Sequence, residues 1–199
     1  MSQTLTLPAS VRDYMLKPGV RTAVDHLLEQ KQDHFPIDFQ WESMLDYHDG
    51  LLMAAKVRRD YVATLHSAWG MIWQEALVSE GYGREVPFAD YYQETLPAPK
   101  VVWDDALYRY YSLPGRKDAW LYTAVALTPS DGLAAYIAAE DESEKNLLAE
   151  DNVRLEGWIP DESDYWRTKR GAAKVHSDGI VDVSALITAA REVLRILRT

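Results

Sequence analysis

Residues 41–79 read WESMLDYHDGLLMAAKVRRDYVATLHSAWGMIWQEALVS, and their periodicity decides the fold. Apolar and aromatic side chains recur through Met44, His48, Leu51, Ala55, Val62, Leu65, Trp69, Ile72 and Ala76. This i, i+3, i+4, i+7 spacing predicts a helix with one buried face. The stripe lapses at Arg58-Arg59, where the helix is expected to reach the surface. Asp49-Gly50 is a weak point, since glycine costs about 1 kcal/mol inside a helix. The spacing fits one helix of about ten turns, or a short helix feeding a long one from Leu51. The glycines of Glu80-Gly81-Tyr82-Gly83 stop it.

Upstream, Val20–Gln32 reads as a short helix with Val24, Leu27 and Leu28 inward. It ends at His34-Phe35-Pro36-Ile37, because a residue before proline is pushed out of the α region. Residues 1–19, with Pro8 and Pro18-Gly19, read as an arm with one helical turn near Val11–Leu16. Downstream, Pro87, Pro97 and Pro99 punctuate a connection over 84–100, and the period then changes. Val101–Tyr111 is β-rich, and Leu113-Pro114-Gly115 turns it. Ala119–Leu127 is apolar on both faces, as a strand buried from both sides would be. Thr128–Gly132 is a second turn leading to Leu133–Ala139. Ser143–Ala149 reads as a helical segment, Val153–Ile159 as a fourth strand and Tyr165–Lys169 as a short fifth at an edge. Asp182 or Ser184 caps a last helix with Leu186, Ile187, Ala190, Val193, Leu194 and Leu197 on one face. Its Arg191, Arg195 and Arg198 suit the C-terminal end of the dipole.

Helices first, then strands joined by short turns, predict an α+β fold. N-terminal helices including one long helix precede a mostly antiparallel four- to five-stranded sheet, and a C-terminal amphipathic helix closes it. One domain over 1–199 is expected, helical over about 20–83, strand-rich over about 101–170, with the last helix over about 183–198.

The 199 residues carry no cysteine, which excludes disulfides, thiolate metal sites and cysteine nucleophiles. Net charge is −10, so neither nucleic acid nor an anionic membrane is an expected partner. The N-terminus MSQTLTLPAS lacks the basic and apolar regions of a signal peptide, and the longest apolar run is too short to span a bilayer. A cytoplasmic location is the expectation. Charge is polarised in the last third. Asp131–Asp164 holds eleven acidic residues against Lys145 and Arg154, whereas Tyr165–Thr199 holds seven basic against three acidic.

Several combinations suggest chemistry. His48-Asp49, with His26, His34 and Asp60, resembles a histidine–aspartate metal set, but a core histidine beside a helix irregularity explains the pair. His66, flanked by Leu65 and Trp69, reads as a histidine with one satisfied ring nitrogen. Asp104-Asp105 resembles an acidic pair for Mg²⁺. The restriction-nuclease arrangement needs an acidic residue two before a lysine on the following strand. Gly115, Ser143 and Arg167 precede Lys117, Lys145 and Lys169 instead, which excludes that arrangement. No glycine-rich phosphate loop, nucleophile elbow or HExxH pair is present.

Two surface features stand out. One is the carboxylate run Glu140, Asp141, Glu142 and Glu144, with Asp161 and Glu162 nearby, which reads as a solvated loop or as a dock for a basic partner. The other is Trp158, Tyr165 and Trp166 beside Arg167, Lys169 and Arg170, the residue types enriched at binding hot spots. Seven tryptophans and twelve tyrosines fill a core or line a pocket, and Tyr108, Tyr110 and Tyr111 cannot all face one way on a strand.

The leading expectation is a non-catalytic protein that binds another protein with a basic surface, of inhibitor, immunity, antitoxin or anti-defence type. It needs no cofactor and no metal. The alternatives are a metal-dependent hydrolase or nuclease-like enzyme using Asp104, Asp105, His48 or His66, and a small-ligand-binding module with an aromatic pocket.

Overall fold

The computed structural model describes residues 2–29, 41–82, 85–86, 106–116, 119–141, 148, 158–159 and 168–198. Strand β1 (Thr4–Thr6) leads into α1 (Ala9–Leu16) and α2 (Pro18–Glu29). The long helix is α3 (Trp41–Trp69), which passes through a π turn (Gly70–Gln74) into α4 (Glu75–Ser79). Trp69, Gln74 and Glu75 all keep right-handed helical dihedrals, so the chain is one helix from Trp41 to Ser79, unbroken at Asp49-Gly50. A π turn takes up one extra residue. With it, the inward set moves from Tyr61, Leu65 and Ala68 to Ile72-Trp73 and Ala76-Leu77. The helix stops as expected. Tyr82 N–H bonds to Leu77 O and Gly81 N–H to Val78 O, the two bonds of a Schellman cap.

The predicted stripe is out of phase in the first half of this helix. His48, Ala55 and Val62 are exposed, while Ala54, Val57, Tyr61 and Thr64 are buried. The reason is tertiary. This half packs on α1 and α2, with Tyr14 edge-on to Tyr61 at 6.1 Å, and those helices select which apolar face is covered. His48 is therefore a surface histidine and not a core one.

The strands are β2 (Glu85–Val86), β3 (Ala106–Ser112), β4 (Ala119–Thr128), β5 (Gly132–Asp141), β6 (Trp158–Ile159), β7 (Thr168–Ala173) and β8 (Ile180–Asp182). Six form one antiparallel sheet in the order β2-β3-β4-β5-β7-β6, and β1 pairs with β8 in a separate two-stranded ribbon. The fold is α+β, with helices first, then the antiparallel sheet, then helix α5 (Ser184–Arg198). Among the described residues the main sheet has six strands, against the four to five expected. β7 lies inside it, and the two-residue β6 is the edge instead. Of the β-rich stretch from Val101, the part through Asp105 lies outside the described residues. So do the segment Ser143–Ala149, except Leu148, and the linker over 84–100, except β2. β1 escaped the periodicity because three residues carry too little pattern, and its partner lies across the whole chain at Ile180–Asp182.

β4 is central and buried on both faces from Thr123 to Leu127, as its composition predicts. One face carries Leu121, Thr123, Val125 and Leu127 beside Leu133, Ala135, Ile137 and Ala139 of β5. Three polar tips seat α3 and the π turn here. The Tyr61 hydroxyl donates to Leu127 O, Trp69 Nε1–H to Thr123 Oγ1 at 3.2 Å, and Trp73 Nε1–H to Ala124 O at 2.9 Å. All three aromatic residues are 7% exposed or less, so each ring adds buried area and each donor is satisfied.

Helix α5 buries Leu186, Ile187, Ala190, Val193 and Leu194, with Leu197 partly covered, as its pattern predicts. Asp182 Oδ1 accepts the Ser184 N–H at 3.0 Å, one of the orphan donors of the first turn. The Ser184 hydroxyl accepts the Gln3 N–H at 2.8 Å, tying the N-terminus to the helix start. The arginines do more than suit the dipole. Arg191 pairs with Glu75 at 2.9 Å and Arg195 with Glu80 at 3.0 Å, so α5 is clasped to α4.

Candidate functional site

Strand direction sorts the sequence candidates by position. β4 begins at Ala119 opposite Asp141, the last residue of β5. β7 begins at Thr168 opposite Ile137, and β6 ends at Ile159 opposite Lys169. The end of β5, the end of β6 and the start of β7 therefore lie toward the same end of the sheet. Glu140 and Asp141 occupy the last two positions of β5, in register with Trp120 and Ala119. Residues 160–167, which include Asp161, Glu162, Tyr165 and Trp166, lie between β6 and β7 in the chain. These four residues, with Glu142 and Glu144, lie outside the described residues. Trp158 is half-buried on β6, its ring 6.2 Å from that of Trp73.

Asp104 and Asp105 also lie outside the described residues, immediately before Ala106. Ala106 pairs with Ala126, toward the opposite end of the sheet from Asp141. His48 and His66 are both exposed on α3. Eighteen residues of helix separate them, about 27 Å, so the two histidines do not share a site. His48 lies 3.5 Å from Asp49 through Nδ1. Of the other residues weighed with it, His26 is on α2, His34 lies outside the described residues and Asp60 is held elsewhere.

His66 has a more developed setting. Its Nδ1 is 3.4 Å from Arg109 Nη2, and the guanidinium lies over the Trp69 ring, 5.8 Å from its centroid. Trp69 in turn stacks parallel to Tyr111 at 6.3 Å. Arg109 and Tyr111 are alternate residues of β3 and so share a face. A guanidinium donates only, so in this contact Nδ1 is placed to accept. The cluster clamps helix to sheet by cation–π and stacking contacts. Arg109 was not singled out from the sequence, although a lone charge between Tyr108 and Tyr110 was the available signal.

The other face of the sheet resolves the tyrosine question. Tyr111 faces the helices and Tyr110 the opposite side, where it meets Tyr122 edge-on at 4.8 Å. Around that pair Ala124, Ala126, Ala134 and Ala138 are buried, and Trp120 and Tyr136 are half-buried.

Shifted ionisations fall on structural pairs. Asp60 is brought down to about 2 by hydrogen bonds from Lys56 and Ser10. Asp13 is lowered by Lys17 and Arg12, and Asp182 by the hydroxyl and N–H of Ser184. Burial pushes the Tyr82 phenol up while its hydroxyl donates to Leu194 O at 2.8 Å. Among the described residues no three His, Asp or Glu side chains converge as a metal site would require, and no helix is long and apolar enough to cross a membrane. No family model, curated protein or solved structure matches this chain at a significant level.

Proposed function

We propose that this is a non-catalytic protein that acts by binding another protein with a basic surface, in the manner of an inhibitor, immunity, antitoxin or anti-defence protein. One observation carries the reading. The strand ends that flank the carboxylate run and the Asp161–Trp166 segment lie toward one end of the sheet. The run starts at the end of β5, a ten-residue strand paired along its whole length with the equally long β4. Glu140, Asp141, Glu142, Glu144, Asp161 and Glu162 supply the charge, and Trp158, Tyr165 and Trp166 the anchoring area. Such an array steers a basic partner over roughly the Debye length, about 10 Å at 0.1 M salt, and acts mainly on the association rate.

The test replaces Glu140, Asp141, Glu142 and Glu144 by the corresponding amides. Partners are captured from extract of the native host on wild-type and neutralised baits, and association rates are then measured at low and high salt. The reading expects a partner that associates more slowly with the neutralised chain and loses that difference at high salt. Stability is expected to stay within about ±0.5 kcal/mol, as for exposed substitutions. Unchanged association with a large loss of stability would show that the carboxylates serve the fold and would refute the reading.

A second reading, a small-ligand module with an aromatic pocket, draws on the half-buried Trp120 and Tyr136 beside the Tyr110–Tyr122 pair on the far sheet face. Planar aromatic compounds should then raise the melting temperature of the wild type more than that of an Ala138→Leu variant. An equal response of the two would remove this reading.

A further inference from the structure

The first half of α3 carries a self-complementary stripe, independent of the acidic end of the sheet. Asp46, Asp49, Leu52, Met53, Lys56 and Arg59 follow spacings of 3, 3, 1, 3 and 3, symmetric about the point between Leu52 and Met53. At helical periodicity these six positions fall on one broad face. All six are exposed, Leu52 and Met53 by 58% and 67%. Signs along the stripe run negative, negative, apolar, apolar, positive, positive.

We infer that this stripe is a contact between two copies of the chain, with their α3 helices antiparallel. A two-fold axis between Leu52 and Met53 sets Asp46 against Arg59 and Asp49 against Lys56 of the second copy, and sets Leu52 against Met53. Each pairing occurs twice, as an isologous interface demands. A parallel arrangement would oppose like charges. The pattern therefore selects a second copy in one orientation over an unrelated helix. Lys56 and Arg59 already share Asp60 within the chain, but one carboxylate cannot neutralise two cations, and a positive charge remains for the partner. His48 beside Asp49 leaves that carboxylate open on its outer side, where the Asp49 side chain is 80% exposed.

The stripe is about 20 Å long, so it covers much less than the ~800 Å² per partner of a standard interface. Association is accordingly weak and concentration-dependent. Light scattering or sedimentation equilibrium of the full chain, from about 10 µM to about 1 mM, should show mass rising from monomer towards dimer. Asp46→Lys with Asp49→Lys should weaken self-association by about tenfold or more, as should Lys56→Glu with Arg59→Glu. An equimolar mixture of the two variants should recover the dimer. Wild type monomeric at the highest concentration overturns the inference. So does a variant that self-associates as well as wild type, or a mixture of folded variants that fails to recover. Should the Lys56/Arg59 variant unfold through loss of its bonds to Asp60, Asp46→Asn with Asp49→Asn decides alone. It must associate more weakly than wild type at low salt, and undiminished association overturns the inference.

Discussion

Replacing Gly132 by alanine tests the arrangement at the centre of the sheet. Gly132 opens β5 opposite Thr128 at φ +82°, the left-handed region where a Cβ costs about 1–2 kcal/mol. A Cβ there would also fall on the Ala173 carbonyl oxygen and 3.3 Å from Lys174 Cα, both backbone atoms following the β5–β7 pairing. Relief requires the strands to separate, and overpacking of this kind costs about 1–3 kcal/mol. The internal control is Gly115 in the β3–β4 turn. There Pro114 and Gly115 are the central residues of a turn closed by Arg116 N–H to Leu113 O at 3.2 Å. Its φ is +76°, and nothing lies within 4 Å of an added Cβ. Gly115→Ala should cost the conformational part alone, about 1–2 kcal/mol, and Gly132→Ala about 2–5 kcal/mol. In urea, with a slope of about 2 kcal/mol per molar, the midpoints should fall by roughly 0.5–1 M and 1–2.5 M, at unchanged slope. Equal shifts for the two variants would show that Ala173 does not sit against Gly132, and the pairing of β7 with β5 at Leu133 would be wrong.

Truncation after Gly179 removes β8, and with it the pairing of β1, together with the buried face of α5; at about 1.5–3 kcal/mol per buried aliphatic side chain it should abolish cooperative unfolding. A truncated chain with the wild-type urea midpoint would refute the packing of α5. Asp60 contributes stability that is fully present above its ordinary value of 3.8 and is lost as pH falls from there to about 2, because its folded value is the lower one. Asp60→Asn should therefore flatten melting temperature against pH over that window, and an unchanged profile would contradict the Lys56 and Ser10 contacts. Protein purified without added metal should contain no stoichiometric zinc by elemental analysis; zinc at one per chain would favour the hydrolase over the binding protein.

Local patterns determined much of the architecture by sequence alone. The apolar spacing over 41–79 left open one helix or a short one feeding a long one, and the structure has a single helix, while the Schellman stop at Gly81 follows from glycine chemistry. The turns at Pro114-Gly115 and at Thr128–Gly132, the doubly buried β4 and the inward face of α5 were equally legible, each being written in contiguous residues. The site candidates were legible only as residue types. Carboxylate runs and scattered histidines carry no periodicity to reveal what surrounds them.

Tertiary structure decided the rest. The phase of the first half of α3 depends on α1 and α2, which cover Ala54, Val57 and Tyr61 and leave Ala55 and Val62 in solvent. The pairing of β1 with β8 closes a contact across nearly the whole chain, and the insertion of β7 between β5 and β6 is a matter of strand order. Neither leaves a mark in a short window. The same holds for Arg109, whose place over Trp69 and beside His66 arises only where α3 crosses β3. Sequence fixes which face a residue takes within its own helix or strand; what stands opposite that face is set by elements tens of residues away, through the packing that buries the most apolar surface.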